Sequence, residues 1–305
     1  MAFNRKTFQT RALTAIIFAT VMLAGLLWNQ WSFLVLFSII HFGCWWEYFN
    51  LLEKIHNTNY HRYTRLGFML LGYAIMLWFC GPAFQINDYH IKENLPFPVS
   101  VAGFVMLGLG IFQTKNIKIK DFGTAALGFL YISLSWGLMM NMERPGGINI
   151  SLDENEVVTG LLEIPIVIVA SIWINDTMAY ITGSLIGKTQ LSKISPKKTW
   201  EGTIGGIVLS MVVIALLFTK VFHAGPEDAS FYVFYATIAA ISSIFGTFGD
   251  LLESKLKRLA GVKDSGNIMP GHGGFLDRFD SLLLAIPAVW IYVYGLHSVL
   301  PPMRM

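Results

Sequence analysis

Two regions of this chain keep charged residues where an apolar sequence has least reason to hold them. The longer one begins at Gly249-Asp250, continues through Glu253, Ser254, Lys257 and Arg258, and closes with KDSGNIMPGHGGFLDRFDS at 263–281. On a helix Asp250, Ser254 and Arg258 stand at i, i+4 and i+8, with Glu253 and Lys257 beside them, so one stripe mixes anions and cations. Gly266, Pro270, Gly271, Gly273 and Gly274 then interrupt regular helix and let backbone N–H groups approach a ligand. Asp277 and Asp280 follow one turn apart. The second region runs from Trp173-Ile174-Asn175-Asp176-Thr177 to Ser195-Pro196-Lys197-Lys198-Thr199-Trp200-Glu201-Gly202. Carboxylates without histidine or cysteine clusters suit a hard, oxygen-preferring cation such as Mg2+, which is held by one or two carboxylates plus substrate phosphates. Lysines in glycine-containing loops suit the phosphates themselves. Phosphoryl or nucleotidyl transfer needs alignment and charge neutralisation more than covalent help, and these stretches hold the parts for it. Plainer roles compete residue by residue. Asp176 or Asp250 could form a salt bridge between helices, Asp277 and Asp280 favour a helix N-terminus, and Ser195 or Thr199 could cap the helix that follows.

The elements that must position these residues are membrane helices. Of 305 residues 54% are hydrophobic and only 13% charged, with a mean hydropathy of +0.55, too apolar for a soluble domain. About 20 apolar residues cross a bilayer as a helix, and nine segments qualify: 12–28, 31–52, 66–84, 95–113, 121–141, 160–183, 203–223, 231–252 and 281–300. The fold expected is an all-α integral membrane protein, a polytopic bundle of about nine transmembrane helices. Eighteen of the 22 lysines and arginines fall in alternate connections beginning with the N-terminal tail. That alternation predicts a cytoplasmic N-terminus and an outside C-terminus. It also puts the charged stretches on the cytoplasmic side and the acidic run at 153–156 outside. The first apolar run has no convincing cleavage site and reads as a retained span. Residues 1–305 read as a single membrane domain, with five spans in 1–141 and four, carrying the charged motifs, in 160–305. The net charge of +3 gives no reason to expect nucleic acid. Cys44 and Cys80, the two cysteines, sit apart in apolar segments and read as small hydrophobes. The pairs Gly183/Gly187 and Gly202/Gly206 have the spacing of close helix packing.

The run ESKLKRLAGVKDSGNIMPGHGGFLDRFDS resembles the signature of the phosphatidate cytidylyltransferases, or CDP-diacylglycerol synthases. Ser254, Lys257, Arg258, Lys263, Asp264, Pro270, His272, Gly273, Gly274, Asp277, Arg278 and Asp280 carry the match. It continues in Trp173, Asp176, Thr177, Ala179 and Tyr180, in Ser195 to Thr199 with Glu201 and Gly202, and in Gly249-Asp250. Motifs thus cover roughly the last 130 residues, and the first five spans match in hydropathy alone. Ser184 departs from the pattern, because members often carry a basic residue there; Lys188 or Lys193 could supply that phosphate contact.

The resemblance implies CTP and phosphatidic acid as substrates, CDP-diacylglycerol and pyrophosphate as products, and a divalent cation. It implies an enzyme of phospholipid synthesis in the inner membrane, surrounded by membrane lipids, with its site facing the cytoplasm and with a homodimer as its assembly. With local charge, it assigns the metal to Asp250 and Asp277, then to Asp280, and Asp176 to a second cation or a lysine partner. Lys263, Asp264, His272 and Arg278 are the catalytic candidates, Asp264 as a further ligand or as the group orienting Lys263. Ser195, Lys197, Lys198, Thr199, Ser254, Lys257, Arg258, Gly273 and Gly274 are the substrate-binding ones. His272 fits a phosphate hydrogen bond better than proton abstraction, since a phosphate monoester is already mostly ionised at neutral pH. Rival readings are a CTP-dependent enzyme acting on another lipid, such as an isoprenoid-chain cytidylyltransferase or a lipid-alcohol kinase, and a transporter. Against a transporter, no paired interrupted segments in two related halves are found.

Overall fold

The computed structural model describes residues 5–114, 118–142, 150–151, 157–158, 163–222, 229–268 and 273–296. The acidic run at 153–156 and His272 lie outside them. Among the described residues each expected span overlaps a helix, though 66–84 and 281–300 run past theirs: α1 (Arg5–Leu27), α2 (Gln30–His56), α3 (Arg62–Trp78), α4 (Ile91–Gln113), α5 (Ile119–Met142), α6 (Glu163–Ile186), α7 (Trp200–Phe222), α8 (Ala229–Leu259) and α9 (Leu276–Trp290). Six of these, α2 and α4 to α8, are long and apolar enough to cross a membrane. The apolar part of α1 is Leu13–Leu27, α3 has 17 residues, and α9 has 15 before a π-helical turn at Ile291–Leu296. The chain is therefore an all-α membrane protein.

It packs as two compact units, Met1–Asn141 with Lys255–Phe279, and Met142–Ser254 with Asp280–Met305. In the first, the turn between α1 and α2 is made by Asn29, whose side chain accepts from the Trp31 and Ser32 N–H groups while Ser32 Oγ accepts from the Asn29 N–H. This capping box satisfies N–H groups that the first turn of α2 leaves without helical partners. The core of this unit is aromatic. Trp45 lies 5.6 Å from Phe49 and 5.5 Å from Phe129 between ring centroids, and its Nε1–H donates to Ser133 Oγ at 2.9 Å. Ser133 is presented from a π-helical turn, Phe129–Leu134, within α5. Helices α3 and α4 approach closely through glycine: a Cβ at Gly67 would meet the Leu107 backbone, and one at Gly110 would meet the Thr64 side chain and backbone.

In the second unit α6 and α7 pack in the same manner. A Cβ at Gly202 would meet the Ala179 carbonyl and the Gly183 Cα, and one at Gly206 would meet Ala179 and Asn175. The packing expected of Gly183, Gly202 and Gly206 is thus observed. Gly187 differs, because it follows the end of α6 and its neighbours are the Gly183 carbonyl and the Thr199 side chain. Gly249 brings α8 onto α9, for a Cβ there would strike the Asp280 carbonyl and Ser281 Cα. Two backbones in contact at Gly249 place the next residue, Asp250, beside Asp280 of α9.

Two glycines of α4 give opposite expectations. Gly108 has open space where a Cβ would go, whereas Gly110 does not. Gly108→Ala should leave the thermal midpoint in detergent unchanged or raised, since helical alanine is favoured over glycine by about 0.5–1 kcal/mol. Gly110→Ala should lower it by overpacking, at a cost of about 1–3 kcal/mol. Equal midpoints would contradict the close approach of α3 and α4.

Candidate active site

In the second unit three carboxylates converge. Asp250 and Glu253 stand three residues apart on α8, hence on one face, and Asp280 faces them from α9. One oxygen of each lies within 4.8 Å of the others. Glu253 is fully buried and Asp280 is 7% exposed. Like charges this close in a medium of low dielectric repel strongly, so the cluster calls for a cation or protons. Its donors are all oxygen. A magnesium ion needs oxygens at about 2.0–2.1 Å, which sets them roughly 3 Å apart when adjacent and 4 Å apart across the ion. The cluster fits such an ion after small side-chain adjustment.

Lysine reaches this cluster from the loop between α6 and α7. The loop folds on itself: the Leu191 N–H donates to the Lys198 carbonyl at 2.8 Å and the Trp200 N–H to the Thr189 carbonyl at 2.9 Å. Glu201 accepts from the Lys188 and Thr189 N–H groups. A turn through Ser195, Pro196 and Lys197 closes with the Lys198 N–H on the Ser195 carbonyl, 3.1 Å. Held this way, Lys198 pairs its ammonium with the Asp250 carboxylate, while Lys197 points into solvent. Thr199 accepts from the Gly202 N–H at 3.1 Å, which is the helix-capping role.

In the first unit Asp277 has a different environment. Its Oδ1 accepts from Lys257 Nζ at 2.6 Å, and its Oδ2 accepts from the Ser265 N–H at 2.8 Å, the Gly274 N–H at 2.8 Å and the Ser265 hydroxyl at 2.9 Å. Burial works to raise the Asp277 pKa, yet the Gly274 N–H, the Lys257 ammonium and the Ser265 N–H outweigh it and hold the carboxyl below its ordinary value. Gly273, at φ +85°, adopts the left-handed backbone that turns the loop into α9, and a Cβ there would strike the Asp277 carboxylate.

Of the residues singled out from sequence, Asp250, Asp280 and Lys198 are gathered at the carboxylate cluster, with Ser254 Oγ on Asp250 Oδ1 at a long 3.5 Å. Lys257, Asp277 and Gly274 are gathered in the hydrogen-bonded network. Asp176, on α6, is exposed and is not one of the three clustered acids. Lys263, Asp264, Arg258 and Arg278 are exposed. Two residues were not singled out. Glu253 was visible only as a neighbour in a charged stripe. Glu47 is the other, and the sequence does carry a signal for it, because an acid inside the apolar run 31–52 costs about 2.5–3.5 kcal/mol at a bilayer centre. It is 1% exposed and accepts from the Ser265 hydroxyl and from the Phe275 and Leu276 N–H groups.

Known proteins were compared with this chain. The cytidylyltransferase family matches it from residue 9 to residue 296. The chain belongs to that family. A phosphatidate cytidylyltransferase of Staphylococcus saprophyticus is 32% identical over 282 residues, 92% of this chain and 96% of that protein. One from Synechocystis is 30% identical over 306 residues, covering 95% and 98%. One from Bacillus subtilis is 48% identical over 120 residues, 39% of this chain and 43% of that protein. Membership of the cytidylyltransferase family makes the chain a nucleotidyltransferase, the class of chemistry for which clustered carboxylates and lysines are suited.

The lowered Asp277 pKa has a measurable consequence. A carboxyl depressed in the folded state adds stability above its unfolded pKa, about 3.9, and that contribution is lost as pH falls through the folded value. Wild-type protein in detergent should therefore lose thermal stability below about pH 4 more steeply than Asp277→Asn, which already lacks the contribution at pH 7. Parallel acid limbs would mean that the network adds nothing.

Proposed function

We propose that this chain transfers the CMP group of CTP to phosphatidic acid, forming CDP-diacylglycerol and pyrophosphate. The observation that carries this reading is the Asp250, Glu253 and Asp280 cluster beside Lys198, in a chain similar over nearly its whole length to phosphatidate cytidylyltransferases. In the reaction a phosphate oxygen of the lipid bonds to the α-phosphorus of CTP as the bond to the pyrophosphate oxygen breaks. The nucleophile is already ionised at neutral pH, so no general base is required. Asp250, Glu253 and Asp280 would hold a divalent cation, which supplies neutralisation of phosphate charge when bound. Lys198 balances the same charge from the α6–α7 loop, and its contact with Asp250 yields to phosphate when substrate enters. Asp277 serves in this reading to fix the Lys257 ammonium, and the exposed Lys197, Lys263, Arg258 and Arg278 draw in two anionic substrates.

The excess of lysine and arginine in alternate connections supports a cytoplasmic site in the inner membrane. CTP is then available from water and phosphatidic acid from the inner leaflet.

Purified protein in detergent, given CTP, Mg2+ and phosphatidic acid, should yield a lipid of the mass of CDP-diacylglycerol together with pyrophosphate. Asp250→Asn, Glu253→Gln and Asp280→Asn should each lower kcat by about 100-fold or more, the scale of losing one preorganised electrostatic group. A wild-type protein that makes no such lipid would overturn the function. Variants with full activity would overturn the cation site.

A further inference from the structure

The proposed reaction leaves the most buried acid of the first unit unused. Glu47 lies on α2, far in sequence from the charged motifs, yet every hydrogen bond it makes goes to the glycine-rich loop or to the start of α9. Its Oε1 accepts from the Phe275 N–H at 2.9 Å, and its Oε2 accepts from the Leu276 N–H at 2.9 Å and the Ser265 hydroxyl at 2.7 Å. The loop is shaped to the carboxylate, because a Cβ at either Gly266 or Gly274 would collide with it. The neighbouring Gly43 leaves room on α2 for the Phe275 ring. Orphan N–H groups at a helix start need acceptors, and here a distant helix supplies one in place of a local cap.

Ser265 connects Glu47 to the network described above. Its hydroxyl sits between Glu47 Oε2 and Asp277 Oδ2, at 2.7 and 2.9 Å, and accepts from the Asp277 N–H at 3.3 Å. Asp277 in turn holds Lys257. An isolated acid here would be a cost with no return, and three donors on one carboxylate explain why it is tolerated.

We infer that Glu47 is a positioning residue: from α2 it clamps the glycine-rich loop and the first turn of α9, and thereby sets Asp277 and Lys257 for the reaction. This rests on the proposed function, and it assigns work to an N-terminal span that hydropathy alone leaves as a membrane anchor. Glu47 touches no reacting atom, so its loss should act on turnover more than on affinity for CTP.

The test uses full-length protein in detergent and two kinds of readout. Glu47→Gln keeps the shape but turns an amide N–H2 toward donors; Glu47→Ala removes the clamp. Both should lower kcat by about 100-fold, the scale of a misplacement near 1 Å, with KM for CTP changed less than about threefold. Ser265→Ala added to Glu47→Ala should cost less than the product of the single losses, because residues of one network are not additive. Hydrogen exchange at 263–279 should accelerate in Glu47→Ala while exchange in α3 and α4 stays as in wild type. Turnover within threefold of wild type in both variants would overturn the inference, as would accelerated exchange throughout the first unit, which marks a general structural role. If wild type fails to make CDP-lipid the proposed function falls, and unchanged exchange at 263–279 would overturn the clamp independently.

Discussion

A carboxylate inside an apolar helix bundle has to be met by donors, a cation or a proton, because its own hydration is gone and the low dielectric magnifies every neighbouring charge. The buried acids of this chain answer that constraint in two ways. Glu47 and Asp277 are met by donors: backbone N–H groups at the start of α9, the Ser265 hydroxyl and the Lys257 ammonium. Asp250, Glu253 and Asp280 lie against each other, with the Lys198 ammonium on Asp250 and the Ser281 N–H donating to Asp280 at 2.7 Å. The first arrangement holds backbone in place. The second is a concentration of negative charge suited to a cation.

Glycine makes both arrangements geometrically possible. Gly249 lets α8 touch the backbone of α9 so that Asp250 and Asp280 face one another. Gly266 and Gly274 let the loop close over Glu47, and Gly273 takes a backbone angle that other residues avoid. Among the described residues the glycines of the charged motif, Gly266, Gly273 and Gly274, are fitted to protein carboxylates.

Much of the helical layout was legible, because apolar runs of about 20 residues leave few alternatives in a bilayer. Gly183, Gly202 and Gly206 pointed correctly to close packing of α6 and α7, and Gly187 did not. Thr199 took the capping role weighed for it, since a hydroxyl just ahead of Trp200 finds an unsatisfied N–H at Gly202. The residue types of the candidate site were legible in the sequence, but their grouping was not. Asp277 and Asp280 look equivalent at one turn's spacing, yet Asp277 is enclosed by donors and Asp280 faces two acids. Glu253 looked like a neighbour in a stripe and is a member of the cluster. Glu47 was missed because its partners lie more than 200 residues away, a separation at which no spacing rule operates.

The sequence by itself determined that this is a helical membrane protein of the cytidylyltransferase family, with acids and lysines concentrated in motifs of the last 130 or so residues. Those properties follow from local quantities: hydropathy along a run, residue type, and spacing within one helix. Tertiary structure alone decided which acids share a site and which hold the scaffold. That choice depends on where separate helices cross, and crossing points are set by packed surfaces that no single segment of the chain contains.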